Sequence, residues 1–535
     1  MLNYSFKTEP YKHQLELFNK HKDQNYFGLF ADMGTGKTKV TIDIMSYKFL
    51  NKAINACLII APNLVHEQWL NEQLPLHCPI NYIPFIWESG KIGRRMYEYK
   101  LNDFLMTKYS YDKIKIFAVN VEAFQSKTVL NYVAEFVHNH KVFIVCDEST
   151  RIKTPTAIRS KMLHKLNKYG QRCILTGTPA TKSPFDLYSQ FEFLKANYFQ
   201  CAFTVFKHRY GILMKGTNNI SGQNYMTLID EGTFYKVKKF LEYKRKENNN
   251  ILKNDDIEAA HVIYGVSEKN VRFINSQETF VRFKRLDELK NIISKDVSFI
   301  KKEECLDLPE KIYTQRFVEL SKEQRTIYNN LKNELAATYA GKELSVMNKV
   351  TLTMRFMQIC GGFFPYVDSE QNAKYKLIGK TTPKMERLKE ELEEIGDKQI
   401  IVWATFIAEL EYLYNELSKN YKCFLYYGKT PKYEKQTIVE KFRNNKYQIF
   451  IGNPTAAGFG LNLQTAGIQF WYSNTFHTEA RLQAEDRSHR IGIKNNVLYK
   501  DLICKNTVDE KIYKIMKEGK DLNNFFKSNK LIDIL

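Results

Sequence analysis

The sequence predicts an α/β protein built from two parallel-sheet units with a mostly helical stretch between them. Short apolar runs alternate with helical segments up to about residue 200, and again from about residue 376. Glycine turns or acidic residues follow directly on several of those runs. Strands that alternate with helices form parallel sheets covered on both faces, and such sheets gather ligands at the carboxyl ends of their strands.

In the first part the candidate strands are 26–30, 57–60, 114–119, 142–146 and 173–175. The stretch from about 200 to 375 differs in texture. It carries Lys236, Lys238 and Lys239, the run Lys244-Arg245-Lys246, the tract Asn248-Asn249-Asn250, and helical periodicity over 327–335 and 350–359. Low glycine and long helical periods predict a mostly helical insertion, whose basic clusters fit either phosphate contact or a solvated helix face. Alternation then resumes with strands at 400–403, 424–426, 448–451, 468–472 and 497–503. Thr507-Val508-Asp509-Glu510 reads as a capping box that opens a helix running through Met516. The expected domains are therefore 1–200, 201–375 and 376–535.

Composition narrows the class. A chain of 535 residues, 44% hydrophobic and 26% charged, has ample core-forming material, and its length suits about three to four domains. It has no apolar run of about 18 or more residues and no apolar core near its first residues, so a soluble, intracellular protein with no membrane partner is expected. The nine cysteines include no Cys-x-x-Cys pair; reduced, structural thiols are expected, with no zinc. Lys and Arg total 80 against 59 Asp and Glu, a formal charge of +21. That excess favours a polyanionic partner, and it also fits a basic proteome rich in Lys and Asn.

The motifs decide. Asp32-Met33-Gly34-Thr35-Gly36-Lys37-Thr38 lies between an apolar run and a helical stretch. A glycine turn from strand into helix aims backbone N–H groups and the positive end of the helix dipole at one spot, which suits phosphate. The turn matches the Walker A pattern with Ala31 at its first glycine. Lys37 would reach the β- and γ-phosphates of ATP, and the Thr38 hydroxyl would hold Mg²⁺. The run 142–146 leads straight into Asp147 and Glu148. At a strand end beside a phosphate loop, Asp147 would hold Mg²⁺, and Glu148 would orient and activate the attacking water. Thr176-Gly177-Thr178 follows the next strand; its hydroxyls and tight turn would bond the acidic pair and link it to neighbouring loops.

Two further segments lie in the second part. Arg487 and Arg490 are three apart and would share one helix face, a guanidinium fork for a γ-phosphate. Ala457-Gly458-Phe459-Gly460-Leu461-Asn462 gives a glycine turn able to approach phosphate or sugar closely.

In this order the motifs resemble the superfamily-two helicase-like ATPases, and specifically the Swi/Snf family of DNA translocases. The specific signals are Asp147-Glu148-Ser149-Thr150-Arg151-Ile152-Lys153 and the run from Gln483 through Asp486, Arg487, His489 and Arg490 to Gly492. Pro10 to Gln14, Ala61-Pro62-Asn63, Leu308 to Lys311, Gln358 to Cys360 and Asn506 to Ile512 add support. The resemblance implies two RecA-like lobes with the helical insertion between them. It implies that Gln14 reads the adenine edge, that Gly34, Thr35, Gly36, Lys37, Thr38, Asp147 and Gly460 bind ATP, and that Thr38 and Asp147 bind Mg²⁺. Lys37, Asp147, Glu148, Arg487 and Arg490 would be catalytic. Pro62, Asn63, Thr176, Gly177, Thr178, Gly458 and Asn462 would lie toward the nucleic acid. Three departures stand out. Ser149-Thr150 replaces Ala-His, Ala31-Asp32 replaces an acidic pair, and Ile493 stands where many members have glutamine.

The expected function is an ATP-dependent motor that translocates on double-stranded DNA and displaces proteins or remodels DNA structures. A strand-separating helicase and a catalytically silent nucleic-acid clamp are the alternatives. The chain leaves no room for chromatin-reading appendages, so a minimal bacterial, phage or mobile-element protein is expected, DNA-associated in the cytoplasm. One chain carries both halves of the ATP site, so a monomer would suffice.

Overall fold

The computed structural model describes residues 4–107, 112–180, 183–217, 224–306, 308–338, 346–368, 370, 373–457, 461–476, 478–490, 493 and 495–518. The chain divides into two compact units, the first holding Met1–Asp32 and Gly36–Ile300, the second Met33–Thr35 and Lys301–Leu535.

The first unit is organised by a seven-stranded sheet. Its strands are β1 (Tyr26–Ala31), β2 (Ala56–Ala61), β3 (Tyr82–Ile86), β4 (Ile114–Asn120), β5 (Val142–Asp147), β6 (Gln171–Thr176) and β9 (Val297–Ile300), with a separate hairpin of β7 (Leu213–Thr217) and β8 (Asn224–Leu228). The order is β3-β4-β2-β5-β6-β1-β9, and every pairing in this sheet is parallel. The central strands are apolar at successive positions because both faces are covered. In β5, for example, Ile144 and Cys146 join one core layer, and Phe143 and Val145 the other.

The second unit repeats the principle. Its strands β10 (Lys311–Val318), β13 (Ile400–Trp403), β14 (Cys423–Tyr426), β15 (Ile449–Gly452), β16 (Ile468–Trp471) and β17 (Val497–Cys504) form a parallel sheet. Strands β11 (Phe363–Val367) and β12 (Ala373–Leu377) form an antiparallel hairpin apart from it. The sheet order is β10-β17-β16-β13-β15-β14. Ile400 and Val402 pack on one face, and Ile401 and Trp403 on the other.

The expected three-part division needs correction in its middle. Residues 201–375 do not form a body of their own. Helices and the β7–β8 hairpin, with a small core around Phe234, Leu241, Ile257 and Ile274, run until β9 returns to the first sheet beside β1. From β10 onward the chain belongs to the second sheet. β9 is only four residues long, and β10 is a half-exposed edge strand, so neither stands out as an apolar run. The helix Val508–Lys517 is capped by Thr507 as expected, but its hydroxyl accepts from the Asp509 N–H at 3.2 Å, one residue earlier than a capping box requires. All nine cysteines are free thiols, seven of them buried. Among the described residues no helix is long and apolar enough to cross a membrane.

Candidate active site

Strands β2, β5, β6 and β1 are consecutive neighbours in the first sheet, and each of the expected motifs of this unit lies at the carboxyl end of one of them. After β1 the chain turns through Gly34 and Gly36, at φ 80° and 90°, a region where a Cβ is disfavoured. Gly36 is the N-cap of the helix Lys37–Leu50 and supplies no capping side chain. The first N–H groups of that helix and its positive dipole end therefore suit an anion. A Cβ on Gly36 would stand 2.2 Å from the side-chain nitrogen of Gln14, so glycine lets Gln14 lie against the turn. Gln14 is buried at the start of the helix Lys12–His21, and its carbonyl accepts from the Tyr11 N–H at 3.1 Å. Lys37 bends back across the turn and donates to the Ala31 and Asp32 carbonyls at 2.6 and 3.1 Å.

Asp147 ends β5, two strands away from the turn. Its Oδ2 accepts from the Trp69 indole N–H at 2.9 Å, and its Oδ1 from the Glu148 N–H at 2.9 Å. Burial pushes its pKa up, opposed by Trp69, the Lys37 ammonium and the Glu148 N–H. Glu148 is half-buried at φ 50°, a left-handed conformation that costs a non-glycine residue about 1–2 kcal/mol. That strain turns the chain sharply at the second acid. Backbone donors, the Lys37 ammonium, the Thr38 hydroxyl and the Asp147 carboxylate together fit a magnesium nucleotide.

Ser149, fully buried, donates to Gln190 Oε1 at 2.7 Å. Gln190 in turn donates to the Pro179 and Asp186 carbonyls at 2.7 and 2.8 Å. A buried relay thus joins the acidic turn to the Thr176–Pro179 loop, where the buried Thr176 hydroxyl accepts from the Thr178 N–H at 3.1 Å. Gly177 and Thr178 are half-buried beside it. After β2, the Pro62 carbonyl accepts from the Val65 N–H at 3.0 Å. The exposed Asn63 donates its backbone N–H to Glu122 at 3.2 Å.

In the second unit the helix Thr478–Glu485 stops before the arginines. Arg487 and Arg490 therefore lie in the turn that follows rather than on one helical face. The physical cause is local: the Arg487 and Ser488 N–H groups bond back to Ala484 and Glu485 in tightened turns, and the Arg487 carbonyl accepts from the Leu463 N–H at 3.1 Å. Arg487 is buried, and the half-buried Arg490 donates to the Asp486 carbonyl at 3.0 Å. Asp486 pairs with Lys302 at 3.2 Å and Lys311 at 3.0 Å, which hold its pKa down against burial. Burial holds the His489 ring below its usual pKa, and its Nε2 meets the Pro309 carbonyl at 2.7 Å. Arg481 grips Asp501 through two bonds, at 2.5 and 2.9 Å, and Glu485 at 2.9 Å, with its guanidinium 4.2 Å from the Trp471 ring centre. Asn462 is half-buried and accepts from the Gln464 N–H at 3.3 Å. Gly458 and Gly460 lie outside the described residues.

A cavity of about 1020 Å³ in this unit is lined by Lys398, Lys422, Gln448 and Asn496, at the amino ends of the strands. That is the wrong edge for the ligand of an open parallel sheet. Among the described residues one group of possible metal ligands, Cys360, Cys504 and Asp509, is buried together. Its carboxylate is already paired with Lys384 at 2.6 Å, so it reads as an ion pair within the core.

Comparison with known proteins gives the lineage. The SNF2-related domain matches residues 12–361, and the helicase conserved C-terminal domain matches residues 383–492. The chain belongs to the SNF2-related family. It is 25% identical over 539 residues to the ATP-dependent helicase FUN30 of Saccharomyces cerevisiae, covering 94% of this chain and 45% of that protein. It is 22% identical over 524 residues to the uncharacterized ATP-dependent helicase MG018 of Mycoplasma genitalium, covering 95% and 42%. The chain thus spans less than half the length of these relatives. A solved SWI2/SNF2 ATPase core of Sulfolobus solfataricus, in complex with double-stranded DNA, aligns over 100% of this chain and 98% of its own at 21% identity and a TM-score of 0.38.

Within this SNF2-related chain, sequence reasoning missed three residues that hold the candidate site in place: Trp69, Gln190 and Arg481. Trp69 and Gln190 meet their partners only through the fold, 78 and 41 positions away. Arg481 carried a legible signal, since it shares a helical face with Glu485.

Proposed function

We propose that this chain is an ATP-driven motor acting on double-stranded DNA. The observation that carries the reading is the placement of the phosphate loop, the Thr176 loop and the Asp147-Glu148 pair on the adjacent strands β1, β6 and β5. Three consecutive carboxyl ends supply phosphate donors, a coupling loop and two acids to one edge. The helix start at Lys37 and the Lys37 ammonium bind the triphosphate, and Gln14 contacts the base. Thr38 and Asp147 hold Mg²⁺, which neutralises phosphate charge when bound. Glu148 orients the attacking water and takes its proton. Arg487 and Arg490 of the second unit are the cations that stabilise phosphoryl charge as the transition state forms. The loops that carry Pro62, Asn63, Thr176, Gly177, Thr178, Gly458 and Asn462 lie toward the nucleic acid, and contacts to its sugar-phosphate backbone by this basic chain make binding salt-dependent and largely blind to sequence. One chain suffices for one site, and a DNA-associated protein in the cytoplasm of a bacterial or phage-infected cell fits this role.

Steady-state ATPase rates without nucleic acid, and with duplex DNA, single-stranded DNA or RNA, test the proposal. Duplex DNA stimulates most, and Lys37→Ala and Glu148→Gln abolish turnover while DNA binding survives. Equal rates in those variants refute the motor and leave the clamp. One feature favours strand separation as a second reading: the β7–β8 hairpin carries exposed Tyr225 and Met226. A strand-displacement assay separates the two readings.

A further inference from the structure

Away from the candidate active site, the first unit holds a basic cavity of about 410 Å³, within the size range of small-ligand pockets. It is formed by the helix Phe203–Tyr210, the start of the helix Glu268–Asn275, and the segment leading into the helix Leu286–Ile293. Backbone bonds set this arrangement: the Lys284 N–H donates to the Tyr210 carbonyl at 3.0 Å, and the Ile212 N–H to the Arg282 carbonyl at 2.9 Å. Arg209, Lys269, Lys284, Arg285 and His208 line the cavity, and no lining side chain is acidic.

The charges are incompletely neutralised. Glu288, at the rim, pairs with Arg209 and lies 3.7 Å from Arg285. Among the described residues Lys269 and Lys284 have no carboxylate within ion-pair distance, and Lys284 donates instead to Asn270. Lys284 is half-buried, and burial together with the Arg285 and Lys269 charges lowers its pKa. Ser267, the N-cap of the helix Glu268–Asn275, makes no side-chain capping bond. Cations held this close without counter-charge are stabilised by a bound anion. The lining has no Phe, Tyr or Trp, so it offers no broad apolar face on which a base could stack. What it can recognise is phosphate.

We propose that this cavity binds a phosphate of a nucleic-acid backbone, a second grip on the track in addition to the strand-end loops. The inference rests on the motor reading. A grip of this kind is electrostatic and independent of sequence.

The test uses the full chain. Duplex-DNA binding without ATP is followed by fluorescence anisotropy over a salt series for wild type, Lys269→Gln/Lys284→Gln and Lys269→Arg/Lys284→Arg. The glutamine pair flattens the slope of log affinity against log salt by about 1 to 2, weakens binding on the order of tenfold at moderate salt, and leaves the DNA-free ATPase rate unchanged. The arginine pair keeps the wild-type slope. Because Lys284 is half-buried, the exposed Lys269→Glu alone serves as a second variant and flattens the slope by about 1. A slope unchanged in all variants, with wild type binding duplex normally, overturns the cavity proposal and leaves the motor standing. A wild type that binds no duplex overturns both.

Discussion

The buried relay from Ser149 through Gln190 to Pro179 gives the sharpest test of how the acidic turn is held. Both side chains are fully buried. Gln190→Leu keeps the volume but leaves the Ser149 hydroxyl and the Pro179 carbonyl without this partner. Each buried group left unsatisfied costs about 1–3 kcal/mol, so the substitution costs about 2–6 kcal/mol in all. Ser149→Ala strands only the Gln190 carbonyl, at about 1–2 kcal/mol. If about 1.4 kcal/mol of either loss reaches the placement of Glu148, kcat falls about tenfold. The assay is kcat and KM for ATP at saturating duplex DNA in both single variants and the double, with thermal unfolding to confirm that each variant folds. Each single variant lowers kcat about five- to tenfold with KM within about twofold, and the double variant is no worse than Gln190→Leu, because the two changes remove one interaction. Two effects that multiply in the double variant refute the relay, since they make Ser149 and Gln190 independent.

Three other outcomes follow from the site and its supports. Trp69→Phe removes the indole donor to Asp147, so the carboxyl pKa rises further and the ionised form is reached at higher pH. The acid limb of the ATPase pH profile then moves up by about one unit, as about 1.4 kcal/mol of lost charge-assisted bonding requires; an unmoved limb shows that Trp69 only packs there. Arg481→Met leaves Asp501 buried without its cation and Glu485 with only Lys311, at 3.6 Å, costing about 3–5 kcal/mol in denaturant unfolding of the second unit, and it lowers kcat more than nucleotide affinity because the arginine turn follows directly. Glu409, buried with its Oε1 lacking a hydrogen-bond partner, is pushed up from 4.5 to about 7 chiefly by burial, against the Ser473 hydroxyl, Lys384 and the Phe406 N–H. A carboxyl raised on folding costs nothing below its unfolded pKa and its full penalty above its folded one, so Glu409→Gln gains stability over wild type as pH rises from 4.5 to 7, by about 3 kcal/mol in unfolding measured across that window; a difference independent of pH shows that the charged form is not penalised.

The central strands were legible because burial on both faces leaves continuous apolar runs, as in Val142-Phe143-Ile144-Val145-Cys146. The edges were not. β10 exposes several of its residues, and β3 carries Pro84, tolerated only where one side of the strand lacks a partner. β9 is a fragment of four residues that gains its meaning by pairing with β1. Missing β9 and β10 is what made residues 201–375 read as one helical insertion. An edge strand is specified by what it pairs with, and that information lies elsewhere in the chain.

The site divides along the same line. The strand-end positions of Lys37, Thr38, Asp147 and Glu148 were readable because strand, turn and helix are local and each turn is made from consecutive residues. The helical face expected for Arg487 and Arg490 is not formed, because the helix ends at Glu485 and the turn after it bonds to the Leu463 segment. Ser149 is the instructive case. Read alone, it is a departure from the Ala-His ending of the family's acidic box, and it leaves open how that box communicates with the Thr176 loop. In the fold, Ser149 meets a glutamine that continues to Pro179. A hydroxyl here would be a buried liability without Gln190, and Gln190 would be one without Ser149, since each satisfies a polar atom of the other. The departure is therefore half of a pair, and its other half lies 41 positions away. A motif read one residue at a time registers such a change as a loss, whereas the hydrogen-bond accounting of the folded chain identifies it as a link of different chemistry between the same two turns.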